Sequence, residues 1–412
     1  MKYTKVVTKL PHPEDIKLLR EINKYEANSM QGQIPVIWKR AKDFLVEDRH
    51  GNRFIDFTSG ICVTNSGHGN IDIIKAIRKQ IDIPLTYSYT FGTEIRYEFL
   101  KELVNTCYPK GKAFLVSSGT EATEVAIKLM RMYGLKQNPR KKVILSFEGA
   151  MHGRTMTAEK LKGEIKDNQW AEPWDCTFIK LPYPTSNSNF EVDLYKYYSK
   201  SLYDICGIII ESYQGWSASF LPINYVKQII KKAKEYKWLV CFDEIQSGIG
   251  RTGKMWAWEH YNIKRPDLIC FGKGISSSVP LSGVIGRKDI LDTPDIGSMS
   301  STHSANPICC ATGLANLKYI KKHNLIEKAK NSGKIIIKAL FELNLKGNGL
   351  AWAIHTDTVE EADKIVDECF KKGLLVVKTH KKSVKIVPPL TINEQALKEG
   401  LEILVQVIGE IK

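Results

Sequence analysis

Four short segments of this 412-residue chain combine residue types that could do chemistry. Lys273 stands between two glycines directly after the apolar run Leu268-Ile269-Cys270-Phe271. A lysine so placed is accessible yet rigidly held, and its neutral amine can form a Schiff base with a carbonyl. Burial beside another cation would favour that neutral form, whereas most lysines are simply on the surface. Asp243 follows Leu239-Val240-Cys241-Phe242 and opens Asp243-Glu244-Ile245-Gln246. A carboxylate after a buried run is partly desolvated and must find a partner. A cationic ring nitrogen would serve, and a structural ion pair would serve as well. Ser117-Ser118-Gly119-Thr120-Glu121-Ala122 leads from another apolar run into a helical stretch. Ser118, Gly119 and Thr120 could offer free N–H groups to a phosphate at the positive end of the helix dipole. The plainer alternative is an ordinary N-cap with Thr120 capping. Finally, Gly248-Ile249-Gly250-Arg251-Thr252-Gly253 matches G-x-G-x-x-G. A dinucleotide fingerprint must follow its strand directly and open a helix. Here Asp243 to Ser247 intervene and no such helix pattern follows, which argues against a nicotinamide site.

The elements that must position these segments follow from apolar periodicity. Ala113 to Val116, Val143 to Leu145, Gly207 to Ile210, Leu239 to Phe242 and Leu268 to Phe271 read as strands. Between them, Ala122, Val125, Ala126, Leu129, Met130 and Tyr133 recur at helical spacing, as do Val226, Ile229, Ile230 and Ala233. Apolar strands alternating with helices predict an α/β fold with a mainly parallel sheet covered on both faces. Ligands then bind outside the carboxyl ends of the strands, where the candidate residues lie. After about residue 310 helices dominate, with short strands at Leu374 to Val377 and Val384 to Val387, which predicts a smaller α+β domain. Phe44 to Phe57 reads as strand-turn-strand around His50-Gly51-Asn52. The expected organisation is residues 1–58 packing with the small domain, 59–309 as the large domain and 310–412 as the small one.

Composition narrows the class. Apolar residues make up 43% and charged residues 25%, the balance of a globular protein. No run of about 18 apolar residues is present, and the charged start of the chain lacks a secretion signal, so a cytoplasmic location is expected. Nine cysteines without metal-ligand spacing fit free thiols in a reducing compartment, and no metal is expected. The net charge of +15 invites a nucleic-acid reading. The lysines are nevertheless spread over many amphipathic segments, which points to solvated faces and against a nucleic-acid partner.

Taken in order, these segments resemble the class III (ω-) aminotransferases, a branch of the fold-type-I pyridoxal 5′-phosphate (PLP) enzymes. The resemblance runs from about residue 36 to 405. It is carried by Gly51 to Phe57, Gly67-His68, Ser118 to Ala122, His152-Gly153-Arg154-Thr155 and Asp243 to Gly248. Pro266-Asp267, Gly272-Lys273-Gly274, Pro280 to Gly283, Thr302 to Pro307 and Pro388-Pro389-Leu390 complete it. Relatives similar in feel are 4-aminobutyrate, ornithine and acetylornithine aminotransferases. The resemblance implies that Lys273 forms the Schiff base with PLP and then moves the proton. It implies that Asp243 keeps the pyridine nitrogen protonated, that Gln246 bonds the phenolic oxygen, and that Ser118, Gly119 and Thr120 hold the phosphate. Glu211 matches a glutamate near the cofactor. Thr302 matches a threonine that reaches the neighbouring subunit's phosphate, which implies a homodimer with shared sites.

The chain departs from the family pattern on the substrate side. Met151 replaces the aromatic residue that stacks on the ring; a thioether can still pack there, and His152 can share the task. Lys385 replaces an arginine that holds an α-carboxylate, keeping the charge and losing the two-pronged fork. Trp216 replaces the glutamate that gates this arginine, and Ile61 stands where ornithine enzymes carry a tyrosine. Arg154 matches the arginine that binds a distal carboxylate. These changes predict a non-standard primary or ω-amine as donor, with a 2-oxo acid such as 2-oxoglutarate as acceptor. The alternatives are a class III enzyme of another outcome (decarboxylating transamination or an intramolecular amino shift), a dinucleotide-dependent oxidoreductase using Gly248 to Gly253, and an inactive homologue with a binding role.

Overall fold

The computed structural model describes residues 2–32, 34–162, 169–171, 175–379 and 382–411. Its centre is a seven-stranded sheet in the order Lys112–Val116, Ser282–Gly286, Leu268–Phe271, Leu239–Asp243, Ile205–Glu211, Val143–Phe147 and Phe178–Leu181. Ser282–Gly286 runs antiparallel to both its neighbours, and the remaining neighbouring pairs are parallel. The central strands are buried along their whole length, as expected where both faces are covered.

One face is covered by the helix Gly119–Gln137. Ala122, Ala126, Leu129 and Met130 pack there with Val116, Ile144, Ile209, Cys241 and Cys270. The other is covered by Ile223–Tyr236, whose Val226, Ile229 and Ala233 meet Ile208, Ile210, Val240 and Phe242. The helical periodicity placed both correctly. It did not predict Ser282–Gly286, because a short strand bracketed by Gly283 and Gly286 carries little apolar signal.

Residues from the two ends of the chain share a second sheet. Trp38–Lys42, Leu45–Asp48 and Arg53–Asp56 form an antiparallel meander, and Leu374–Leu375 pairs in parallel with Arg53–Asp56. A third, antiparallel sheet holds Leu345–Asn348, Ala351–His355, Ser383–Ile386 and Val377–Thr379 in that order. The apolar run expected as one strand from Leu374 to Val377 is therefore divided. Val376, fully buried, is the point where the chain leaves one sheet for the other. Helices Val359–Lys371 and Glu394–Ile411 pack together, contributing Ile365, Cys369, Leu397 and Leu404 to the same core.

The G-x-G-x-x-G run forms turns after Asp243 and leads only to a short 3-10 helix, Ala257–Tyr261. Its Arg251 is fully buried. The guanidinium donates to Asn65 Oδ1 (2.6 Å), the Leu350 carbonyl (3.2 Å), Ser59 Oγ (3.3 Å) and the Pro388 carbonyl. Ser59 begins four consecutive residues with positive φ, Ser59, Gly60, Ile61 and Cys62, at 50°, 56°, 63° and 65°. Three of the four carry a Cβ, so this left-handed turn costs about 1–2 kcal/mol at each of them and has to be held from outside. Arg251 holds it. Arg251→Met should therefore destabilise the cofactor-free protein by about 3–5 kcal/mol in urea unfolding, because it leaves Asn65 Oδ1 and the Leu350 and Pro388 carbonyls without this donor, while Ser59 Oγ keeps its bond to the Val387 carbonyl. Arg251→Lys should recover only part of that.

Candidate active site

Five loops meet at the carboxyl edge of the large sheet. Asp243 ends its strand with Glu211 directly beside it in register. Both are buried at the end of otherwise apolar strands. Asp243 Oδ2 meets His152 Nδ1 at 2.8 Å, and its Oδ1 accepts from the Ile245 amide at 3.1 Å. Glu211 accepts from the amides of Met151 and Gly215, each at 2.8 Å. Those two bonds tie the segment carrying Met151 and His152 to the one carrying Trp216.

Burial works against the His152 imidazolium, but the hydrogen bond and charge of Asp243, with help from Glu211, outweigh it and raise the His152 pKa. Burial raises the Glu211 carboxyl, and Asp243 adds to that; His152 and the two amides pull the other way. His152 Nε2 is buried without a hydrogen-bond partner. Glu244 accepts from Ser212 Oγ, Ser247 Oγ and the amides of Ala257 and Trp258, which pins the turn after Asp243. Burial pushes its carboxyl up to about 7 against those four donors.

The helix after Lys112–Val116 starts differently from the N-cap alternative drawn from sequence. The cap is Ser118, not Thr120, in a capping box with Glu121. Glu121 Oε2 takes the amides of Ser117 (3.1 Å) and Ser118 (2.7 Å). The amides of Gly119 and Thr120, one residue further in, have no intrahelical acceptor and no other partner among the described residues. Thr120 Oγ1 lies 2.8 Å from Thr155 Oγ1. Gly153 passes so close that a Cβ there would overlap the Thr120 side chain.

Lys273 is half-buried on a 3-10 turn with φ +44°, between Gly272 and Gly274. A Cβ on Gly272 would meet Ser282 Oγ at 2.7 Å, and one on Gly274 would overlap Asn65. Lys385 is buried and close enough to Lys273 that the two charges repel. Its Nζ donates to the Gly215 carbonyl at 2.6 Å and to Gln246 Oε1 at 3.3 Å. Burial first, then Lys273, lowers the Lys385 pKa.

On the outer side, Arg154 is exposed with its guanidinium 6.0 Å from the Trp216 ring centre, and Lys162 Nζ lies 5.4 Å from the same ring. Ile61 projects from the left-handed turn, about half exposed. Thr302 stands exposed in a turn and makes no described bond within this chain. Its neighbour Ser301 reaches Glu121 Oε1 at 3.2 Å. Sequence reasoning did not find Gly215, Asn65, Glu244 or Ser282, whose parts are set by tertiary packing. Among the described residues one group has metal-ligand reach, His12, Glu14 and His50 in the N-terminal segment. There His12 Nδ1 already accepts the Glu14 amide and His50 Nε2 meets buried Asp15 at 2.9 Å.

A lysine between glycines, a buried carboxylate and free helix-start amides on one sheet edge are the marks of the fold-type-I PLP enzymes. The chain belongs to the class III aminotransferases, whose family model (Aminotransferase class-III) matches residues 26–408. It is 30% identical to the acetylornithine aminotransferase of Caldanaerobacter subterraneus over 406 residues, covering 96% of this chain and 98% of that one. It is also 30% identical to an alanine/serine racemase of Pyrococcus horikoshii, over 100% of this chain and 94% of that one. Its fold superposes on the ornithine aminotransferase of Toxoplasma gondii with a TM-score of 0.89 at 23% identity, covering 98% and 96% of the two chains. The chain is a PLP-dependent aminotransferase.

The residues present fit that cofactor. The unpartnered amides of Gly119 and Thr120 suit a phosphate, and buried Asp243 suits a protonated ring nitrogen.

The His152–Asp243 pair sets a pH dependence. A histidine raised in the folded state contributes stability that is full below its unfolded pKa of about 6.5 and is lost as pH rises through its folded value. In cofactor-free protein, the stability advantage of wild type over His152→Gln should therefore shrink above about pH 6.5. The slope should reach at most about 1.4 kcal/mol per pH unit, read from urea midpoints between pH 6 and 9.

Proposed function

We propose that this enzyme moves the amino group of a primary or ω-amine to a 2-oxo acid such as 2-oxoglutarate, in two half-reactions and as a cytoplasmic homodimer. The observation that carries the reading is the meeting of Lys273, Asp243 and the free amides of Gly119 and Thr120 at one carboxyl edge. PLP supplies the electron sink that makes breakage of a bond at the amine-bearing carbon feasible.

The chain's own residues do the rest. Lys273 Nζ would hold the cofactor covalently in the absence of substrate. Its amine would take the proton from the substrate's amine-bearing carbon and, in the second half-reaction, return one to the carbon that enters as the carbonyl of the 2-oxo acid. Asp243 would hold a proton on the ring nitrogen, and His152, bonded to its Oδ2, fixes the orientation of the carboxylate. The free amides of Gly119 and Thr120 would hold the phosphate, while Ser118, expected to join them, has its amide taken by Glu121 and caps the helix instead. Met151 would pack on the ring face and Gln246 would meet the phenolic oxygen. Glu211 fixes the Met151 and Gly215 segments that frame the ring. Ile61, Arg154 and Trp216 line the substrate side, and Lys385, expected there as well, is covered and donates to Gly215 and Gln246. The amine leaves as an aldehyde or ketone and the 2-oxo acid leaves as an amino acid.

Support for a dimer comes from the segment Ile83, Leu85, Tyr87, Tyr89 and Phe91, an exposed apolar run that a second copy would cover. Thr302, exposed and unbonded within its own chain, would then reach the partner's phosphate. All nine cysteines are free, and no helix of the described residues is long and apolar enough to cross a membrane. A second reading keeps the cofactor chemistry and changes the outcome to an intramolecular amino shift or a decarboxylating transamination. Stoichiometry separates the readings, since an amino shift consumes no 2-oxo acid.

The decisive test follows the cofactor's visible band. Borohydride should bleach it and fix the label on Lys273, found by peptide mass mapping. Lys273→Ala should lower turnover by at least about 10³-fold while cofactor still binds non-covalently. Label on another lysine would sink the assignment. In sedimentation, wild type should run as a dimer, and Phe91→Asp should shift it toward monomer with parallel loss of activity.

A further inference from the structure

Lys385 is an unusual cation for an enzyme that handles carboxylates. It lies on the strand Ser383–Ile386, all four residues of which are buried, and is itself only 5% exposed. Among the described residues no carboxylate lies within ion-pair distance of it. Its partners are the Gly215 carbonyl and Gln246 Oε1, with the Tyr213 ring centre 5.4 Å away. An ammonium that waits for a substrate carboxylate should face the pocket, and this one is covered.

The geometry has a different consequence. A lysine ammonium only donates, so the end of the Gln246 amide that faces it is the oxygen, Oε1 at 3.3 Å. Gly215 closes the other side, since a Cβ there would overlap Gln246 Nε2. The amide is held between a donor and a backbone with no room for a methyl group, and it cannot exchange its two ends freely.

We propose that Lys385 is a positioning residue that fixes Gln246 so that its NH₂, and not its carbonyl, faces the phenolic oxygen of the cofactor ring. The proposal rests on the reading that Gln246 meets that oxygen. A donor there stabilises the oxygen anion, whereas a reversed amide would set two acceptors against each other. Lys385 thus acts on the cofactor through Gln246 and makes no direct bond to substrate.

A double-mutant cycle tests this with wild type, Lys385→Met, Gln246→Ala and the double variant, each stripped and reloaded with PLP. The readouts are the PLP dissociation constant and the pH midpoint of the visible band. Either single change should weaken PLP binding about tenfold, the value of one hydrogen bond to a charged group, and move the midpoint upward. The double variant should be no worse than Gln246→Ala, and Lys385→Arg, which keeps a donor, should restore most of the loss. Multiplying effects in the double variant would overturn the proposal. So would a Lys385→Met protein with normal PLP binding and midpoint but a roughly 100-fold higher KM for 2-oxoglutarate, which would make Lys385 a carboxylate anchor. If Gln246→Ala itself changes nothing, the placement of Gln246 at the ring falls, and the proposal falls with it. Urea midpoints of the stripped proteins report folding, and Lys385→Gln carries the same cycle if the methionine variant does not fold.

Discussion

A carboxylate at the end of a fully buried strand cannot stand alone. Asp243 is placed by the apolar run Leu239 to Phe242, and the strands on either side leave it little access to water. Leaving such a charge unpaired would cost several kcal/mol, so its surroundings are arranged to answer it. His152 is the answer inside the chain. Glu211 beside Asp243 would add a like charge, and two backbone amides hold it in place. The loops that carry Met151, His152, Gly215 and Trp216 are thereby tied to the sheet edge by electrostatic necessity.

The sheet and its edge were legible in the sequence because they rest on local signals. Apolar runs of strand length marked Leu239 to Phe242 and Leu268 to Phe271, and helical spacing marked the two covering helices. Asp243, Lys273 and Gly119 stood where those runs ended. What was not legible depends on contacts between distant segments. No local pattern shows that Gly215 must lack a Cβ because Gln246 packs on it, or that Arg251 is buried to hold a left-handed turn at Ser59. The run from Leu374 to Val377 read as one strand because its composition is uniform, while its division depends on which partner strand each half meets. The helix cap was misplaced between Thr120 and Ser118 because both residues can cap, and only Glu121, folded back on Ser118, decides between them.

The substrate side departs from the family pattern as a set. Where that pattern pairs an arginine with a gating glutamate, this chain carries Lys385 and Trp216. Among the described residues no carboxylate lies within ion-pair distance of Lys385, which donates to Gln246 and Gly215, and the indole lies beside Arg154 and Lys162.

The sheet shared by the two ends of the chain bears on how the protein is made. Arg53–Asp56 emerges early in synthesis, but its parallel partner Leu374–Leu375 lies more than three hundred residues later. Until nearly the whole chain has left the ribosome, that strand has an open edge next to the buried Phe54 and Ile55. Unpaired edges of this kind are where nascent chains associate wrongly, and contacts so distant in sequence close last. Shielding of residues 38–56 during translation would therefore keep that edge from pairing wrongly before Leu374–Leu375 arrives.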